Sequence, residues 1–356
     1  MRPEQEREIR LRLKKRYQHF PDVVNEFLYI SETARSVSTV YEYAKDIQLF
    51  LDFLIEEGKV QVERSIDVTQ ADLGRLVERD FVDFLNYLTQ YDRTYVTTKG
   101  KVISQRYTNS SEGKNRKLAT LRVFFDYLFI NRHVDRDVTK RIEMKITKRA
   151  KIKNRLTDDE VVRFFNTIKE DVNIESAHAK AYHEKTRFRD YVIAMLFAYL
   201  GIRVSELAQL DVDDIFKEEQ ALIIVRKGGN EQAIPIPDAI FEYVLEYLEV
   251  REQATNVMKD HEKALFLSMQ GRRINPRTIR NMLEKYRQRS GLSIKITPHV
   301  FRRTFGTNHY NTFKDMYLTA LILGHSSAET TRKYYADPNE ERVKSSMAIF
   351  DYNQKK

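Results

Sequence analysis

The sequence predicts a mainly α-helical protein with a small β-sheet, divided into an all-helical N-terminal domain and an α+β C-terminal domain. Three observations carry this. The 356 residues exceed the usual size of one domain. Through the first 145 residues, apolar side chains recur at three- and four-residue spacing, the period of a helix with one buried face. Past residue 156 that pattern is broken by two short β-rich runs around a glycine turn, after which helices resume.

In chain order, residues 1–36 are charged with scattered apolar positions and read as a short helical arm. A helical domain follows over 37–146. Its first helix carries Tyr41, Ala44, Ile47, Leu51 and Leu54 on one stripe, with Ser38 and Thr39 placed to cap the start and Gly58 marking the end. A second helix, from about Glu78, turns Phe81, Phe84, Leu85 and Leu88 inward. Residues 92–114 are polar, with Thr97, Thr98, Gly100 and Lys101 between Tyr95 and Val102, the pattern of a β-hairpin or a loop insertion. A third helix presents Leu118, Leu121, Phe124, Phe125 and Leu128.

The stretch 147–156 is basic, with Lys148, Arg149, Lys151, Lys153 and Arg155. It reads either as a solvated linker or as a linker lying on a phosphate backbone. The second domain, 157–338, opens with helices at 157–169 and 187–200. Strands at Ala221–Val225 and Ala233–Pro237 form a hairpin, and helices fill the remainder. The tail, 339–356, carries Met347, Ile349 and Phe350 in the pattern of a short amphipathic helix.

Composition narrows the function classes. Lys plus Arg number 61 against 52 Asp plus Glu, a net charge of +9 that favours a polyanionic partner. The absence of cysteine excludes disulfides, thiolate nucleophiles and Cys-ligated metals. Met1 to Lys15 alternates acid and base with no apolar core, unlike a signal peptide, and the apolar run from Tyr191 to Ile202 is too short for a membrane span. The expectation is a cytoplasmic protein with no membrane partner.

Two segments hold the chemistry. In Leu200-Gly201-Ile202-Arg203-Val204-Ser205-Glu206-Leu207, an apolar helix ends at a glycine, and an arginine follows at the start of the next helix. A buried guanidinium needs an anion. Glu206 is one candidate, and a substrate phosphate held by Arg203, with Glu206 steadying the guanidinium, is the other. In Pro298-His299-Val300-Phe301-Arg302-Arg303-Thr304-Phe305, His299 and Arg302 lie one helical turn apart. A forked cation and an imidazole on one face suit a phosphate. Further on come Leu323-Gly324-His325-Ser326-Ser327 and Thr330-Thr331-Arg332-Lys333-Tyr334-Tyr335. Neither H-E-x-x-H nor a G-x-x-x-x-G-K-[ST] phosphate loop is present.

These boxes, in this order, resemble the tyrosine recombinase, or phage integrase, family over about residues 155–340. The resemblance implies a helical core-binding (SAM-like) domain followed by the family's catalytic domain. It implies that Arg203 and Arg302 clamp the scissile phosphate, that His299 and His325 hydrogen-bond to it and move protons, and that Glu206 orients its neighbours. Tyr334, nine residues after the L-G-H histidine, is the implied nucleophile, and Tyr335 is its rival. Lys227, in the turn Arg226-Lys227-Gly228-Gly229-Asn230, is the implied acid for the departing 5′-oxygen. The turn departs from the commoner G-K-G-x-K-x-R pattern: Arg226 stands for a glycine, and Glu231 and Gln232 weaken its basic character.

No cofactor, metal or ATP is implied, because the protein supplies the positive charge. The implied partner is duplex DNA with an inverted-repeat site, bound by a homotetramer on two such sites, with the tail helix docking into a neighbouring protomer. Within the family the layout resembles the Xer branch, in particular the single-recombinase type of streptococci. That branch implies chromosome-dimer resolution and a DNA translocase partner. A mobile-element integrase, a plasmid resolvase, a type IB topoisomerase and an inactive DNA-binding regulator remain the alternatives at this point.

Overall fold

The computed structural model describes residues 3–96, 100–143, 155–170, 173–174, 176–226 and 229–324. The chain divides into two compact units, 2–151 and 152–356.

In the first unit, α1 (Pro3–Tyr17), α2 (Asp22–Ala34) and α3 (Val37–Glu56) precede α4 (Gln70–Arg75) and α5 (Glu78–Tyr87). A hairpin of β1 (Gln90–Val96) and β2 (Val102–Thr108) then leads to α6 (Ser111–Ile130). The predicted stripe of α3 is buried at Ala44, Ile47, Leu51 and Leu54. Phe50 of the same helix meets Phe81 of α5 at 5.1 Å between ring centroids, and Phe81 meets Phe125 of α6 at 5.0 Å. Aromatic rings at such spacings supply much of a small core's buried area. Asp46, also buried, takes both Nη atoms of Arg116 at 2.6 and 2.7 Å and the Thr120 hydroxyl at 2.8 Å, which ties α3 to α6.

Two expectations need correction here. The segment 20–28, expected within a short helical arm, joins the core of this unit: Phe20, Val23, Val24, Phe27 and Leu28 are buried, and Phe27 lies 5.1 Å from Phe124 of α6. Their three- and four-residue spacing makes α2 an inward-facing helix, a signal diluted in the sequence by the charges of α1. The cap of α3 is Ser36, whose side chain accepts the Thr39 N–H, rather than Ser38 or Thr39. The polar stretch predicted as hairpin or loop is a hairpin, with Gln90 opposite Thr108 and Val96 opposite Val102. A stack of Tyr87, Tyr91 and Tyr107 seats it on α5.

The second unit begins with α7 (Asp158–Lys169), α8 (Ala177–Leu200) and α9 (Val204–Gln209). Three short strands follow, β3 (Ile215–Phe216), β4 (Ala221–Val225) and β5 (Glu231–Pro235), paired antiparallel in that order. The helices α10 (Asp238–Glu252), α11 (Pro276–Ser290), α12 (Pro298–Phe313) and α13 (Met316–Leu323) complete it. Helix α8 packs against α7, α10 and α12, so its run Tyr191–Phe197 is buried all round. It starts at Ala177 rather than 187, because Ser176 caps it and buried His183 and Thr186 extend its inner face. Strand β5 runs Glu231–Pro235 rather than Ala233–Pro237, since Val225 pairs with Glu231 across the tight turn. Among the described residues, no helix is long and apolar enough to cross a membrane.

Candidate active site

Helix α8 stops at Gly201, which holds a left-handed conformation with φ 58°. A Cβ there would lie 2.5 Å from Phe305 Cδ1 and 3.1 Å from Leu323 Cδ2, so the turn has room for glycine alone. The turn delivers Arg203 to the N-cap of α9. Glu206, in the first turn of α9, reaches back. One carboxylate oxygen accepts the Arg203 backbone N–H at 2.7 Å, and the other accepts Arg203 Nη1 at 2.7 Å.

A second guanidinium meets the same carboxylate. Strand β4 buries Leu222 and Ile224, and the period of two carries Arg226 to the same inward side. Arg226 is 7% exposed. Its Nη1 donates to Glu206 Oε2 at 2.9 Å, its Nη2 to the Ile322 carbonyl at 2.6 Å and its Nε to Gln232 Oε1 at 2.9 Å. Burial alone would push the Glu206 carboxyl up. The Arg203 N–H, the charge of Arg226 and the Arg203 guanidinium outweigh it and hold Glu206 below the ordinary carboxylate range.

Helix α12 starts at Pro298 behind the Thr297 cap, whose side chain accepts the Val300 N–H. This start puts His299 in the first turn and exposed, and Arg302 one turn on and buried. Partial desolvation, then the charges of Arg302, Arg280, Arg203 and Arg303, hold the His299 imidazole below its ordinary pKa. Beside the start of α12, an open depression of about 630 Å³ is lined by Arg280, Asn281, Glu284, Arg287, Lys295 and Thr297.

The pieces meet at the end of α13. A helix leaves its last carbonyls without intrahelical partners and carries partial negative charge there. Here four consecutive carbonyls each receive a side chain from elsewhere in the fold. Gln232 Nε2 donates to Leu321 O at 3.0 Å, Arg226 Nη2 to Ile322 O, Arg302 Nη2 to Leu323 O, and Arg203 Nη2 to Gly324 O at 3.0 Å. Arg302 Nη1 also donates to Gly201 O at 2.7 Å, closing the ring back to the end of α8. Gly324 takes φ 60°, and a Cβ on it would run into the Arg226 guanidinium.

Of the residues singled out in the sequence, Arg203, Glu206 and Arg302 are brought together, and His299 lies within reach of both arginines' fields. Arg155 is exposed, and the next residue is anchored by a bond from the Leu156 N–H to the Thr304 hydroxyl at 2.9 Å. Lys227, His325, Tyr334, Tyr335, Lys148, Arg149, Lys151 and Lys153 lie outside the described residues. Among the described residues, no group of three or more His, Asp or Glu side chains is arranged to hold a metal. Arg226 and Gln232 are the residues that sequence reasoning missed. The alternation of β4, extended by one step, points Arg226 inward and was the available signal.

The phage integrase family matches residues 154–342. The tyrosine recombinase XerS of Streptococcus uberis is 30% identical over 326 residues, covering 86% of this chain and 89% of the relative. XerS of Lactococcus lactis subsp. cremoris is 30% identical over 325 residues with the same coverage. Among solved structures, the XerH site-specific recombinase bound to its difH substrate before cleavage superposes with a TM-score of 0.60 at 20% identity, covering 89% of this chain and 81% of that one. A lambda integrase dimer bound to a COC' core site gives 0.58 at 16% identity, covering 88% and 76%. These two likenesses are of fold.

Proposed function

This chain belongs to the phage integrase family and is a tyrosine recombinase, an enzyme that cuts and rejoins DNA; from that premise we propose how its residues divide the work and which recombinase it is. Arg203 and Arg302 hold the scissile phosphate, with His299 and His325 as hydrogen-bonding and proton-carrying neighbours. The Tyr334 oxygen attacks phosphorus, passing its proton to a site histidine. The phosphorus–oxygen bond to the 5′-carbon breaks, and Lys227 gives a proton to the departing oxygen. The products are a 3′-phosphotyrosine and a free 5′-hydroxyl. The ester retains the energy of the broken bond, so attack by a partner strand's 5′-hydroxyl reseals DNA without cofactor or metal.

One observation carries the assignment: two arginines from boxes about a hundred residues apart in sequence converge on Leu323 and Gly324, the residues that lead directly into His325. Preorganised cations suit phosphoryl transfer, where most of the barrier is removed by positioning and charge stabilisation. Arg203 keeps 31% of its side-chain surface exposed, so a phosphate can reach it from solvent. The arginine charges that lower the His299 pKa would be offset by negative charge building on a bound phosphate, which favours proton uptake at that stage.

The likeness to XerS relatives over most of the chain supports an Xer-type role: resolving chromosome dimers in the cytoplasm, as a homotetramer on two inverted-repeat sites and with a DNA translocase as partner. In this reading the helical unit, the basic stretch 147–156 and the catalytic unit grip the duplex, and the tail 339–356 docks into the next protomer.

The test starts with selection of bound fragments from the host genome to recover the target site. A suicide duplex nicked near the crossover is then incubated with wild type, Tyr334→Phe and Tyr335→Phe. Wild type and Tyr335→Phe should form an SDS-stable protein–DNA adduct, and Tyr334→Phe should form none. Loss of the adduct in Tyr335→Phe alone moves the nucleophile by one residue. Relaxation of supercoils with no exchange between paired sites points instead to a topoisomerase.

A further inference from the structure

Arg226 lies in none of the three sequence boxes, yet its guanidinium ties together three separate segments: Glu206 on α9, Gln232 on β5 and the carbonyl of Ile322 at the end of α13. Each guanidinium nitrogen has a different partner. Arg203 and Arg302 hold the same helix end, but both have a second duty, gripping phosphate. A phosphate bound there would compete with the carbonyls of Gly324 and Leu323 for those donors. In Arg226 all three guanidinium nitrogens are taken by partners within the protein: Glu206, Gln232 and the Ile322 carbonyl. Gly324 is fitted to it, since any Cβ there collides with the guanidinium. The backbone of Arg226 is fixed as well: its N–H donates to the Asn230 carbonyl at 2.7 Å, closing the base of the β4–β5 turn.

The next residue in the chain is Lys227. We infer that Arg226 is a positioning residue, which fixes the base of the β4–β5 turn to Glu206 and to the end of α13, and that the proton donation assigned to Lys227 depends on this anchorage. This rests on the reading of Lys227 as the proton donor. An arginine where the commoner pattern has glycine is therefore a brace, and the loss of basic character at Gln232 is the other half of the same brace.

The experiment separates the brace from the proton donor. Two duplexes are built on the recovered site, one normal and one with sulfur in place of the bridging 5′-oxygen at the crossover. A thiolate leaves without a proton, so a defect confined to proton donation disappears on the sulfur duplex. Arg226→Gln should form the phosphotyrosine about 10²-fold more slowly than wild type on the oxygen duplex, the low end of what a general acid supplies. On the sulfur duplex it should fall within about threefold of wild type. Arg226→Lys, which keeps the charge but cannot span three partners, should show a smaller defect of the same pattern and guards against misfolding of the glutamine variant. Duplex affinity should match wild type in both.

Lys227→Ala is the reference. If it recovers on sulfur while the Arg226 variants stay equally slow on both duplexes, Arg226 acts elsewhere and the inference is overturned with the Lys227 reading intact. If Lys227→Ala does not recover, the proton-donor reading fails and this inference fails with it. Normal rates for both Arg226 variants on the oxygen duplex also overturn it.

Discussion

A carboxylate shared by two guanidiniums, with 4% of its side chain exposed, is the residue on which the site's electrostatics turn. Glu206 neutralises Arg226 in the interior and steadies Arg203 at the surface, and removing one partner of a buried ion pair leaves the other uncompensated. Glu206→Gln should therefore destabilise the catalytic unit by about 3–5 kcal/mol at pH 7, read from urea unfolding. The pH dependence has a definite sign. The folded Glu206 is held below the ordinary carboxylate pKa, so its stabilisation is present in full above the unfolded value of about 4.3 and is lost as pH falls through the lower folded value. The gap between wild type and Glu206→Gln should stay level from about pH 8 to 5 and close below about pH 4. A gap that widens on acidification would show that the carboxylate is not the charged hub described here. At this scale the motif residues were legible because their chemistry is local: Arg203 and Glu206 sit three apart, His299 and Arg302 likewise. Arg226 was not, because two of its three side-chain partners lie 20 and 96 residues away in the chain and only the fold reveals them.

At the scale of elements, the site is an arrangement of helix ends. The stops of α8 and α13 both use left-handed glycines, and the carbonyls they expose are where Arg302, Arg203 and Arg226 dock. Gly201→Ala tests this. The residue would meet left-handed strain of about 1–2 kcal/mol and a collision with Phe305 and Leu323. Gly58→Ala, at φ 63° with no atom near the new methyl group, meets the strain alone. Gly201→Ala should lose at least about 2 kcal/mol and most of its cleavage rate, and Gly58→Ala about 1 kcal/mol and none of its activity. Equal losses of stability and rate in the two variants would mean that the α8 turn does not position Arg302. The periodic helices and the glycine stops were readable because each is set by a spacing or a backbone preference within one turn. The start of α8 and the inward face of α2 were obscured because charged residues share those helices. Packing against distant elements, rather than local pattern, decides which of their sides is buried.

For the whole molecule, the net charge of +9 fixes the sign of the partner but not the number of contacts. Many cations are already paired within the protein. Arg10 bonds Glu6 and Glu32, Arg64 bonds Asp67, Arg106 bonds Asp92, and Arg116 bonds Asp46. Composition therefore says little about how many side chains reach DNA, because pairing within the protein depends on the fold. The dependence of affinity on salt counts them directly, because each phosphate contact releases a condensed counterion. A protein that grips a duplex through both units and the basic stretch between them needs roughly six to ten such contacts, and its affinity should fall about 10³–10⁵-fold between about 50 and 200 mM salt. With Arg203 holding the scissile phosphate as proposed, Arg203→Ala should lower the slope by about one and reduce the cleavage rate far more. Neutralising Lys148, Arg149, Lys151 and Lys153 together should lower the slope by several and leave the chemistry of the bound duplex unchanged. A wild-type slope matching only two or three contacts would mean that the catalytic unit binds DNA alone, and the proposed grip by two units would then have to be given up.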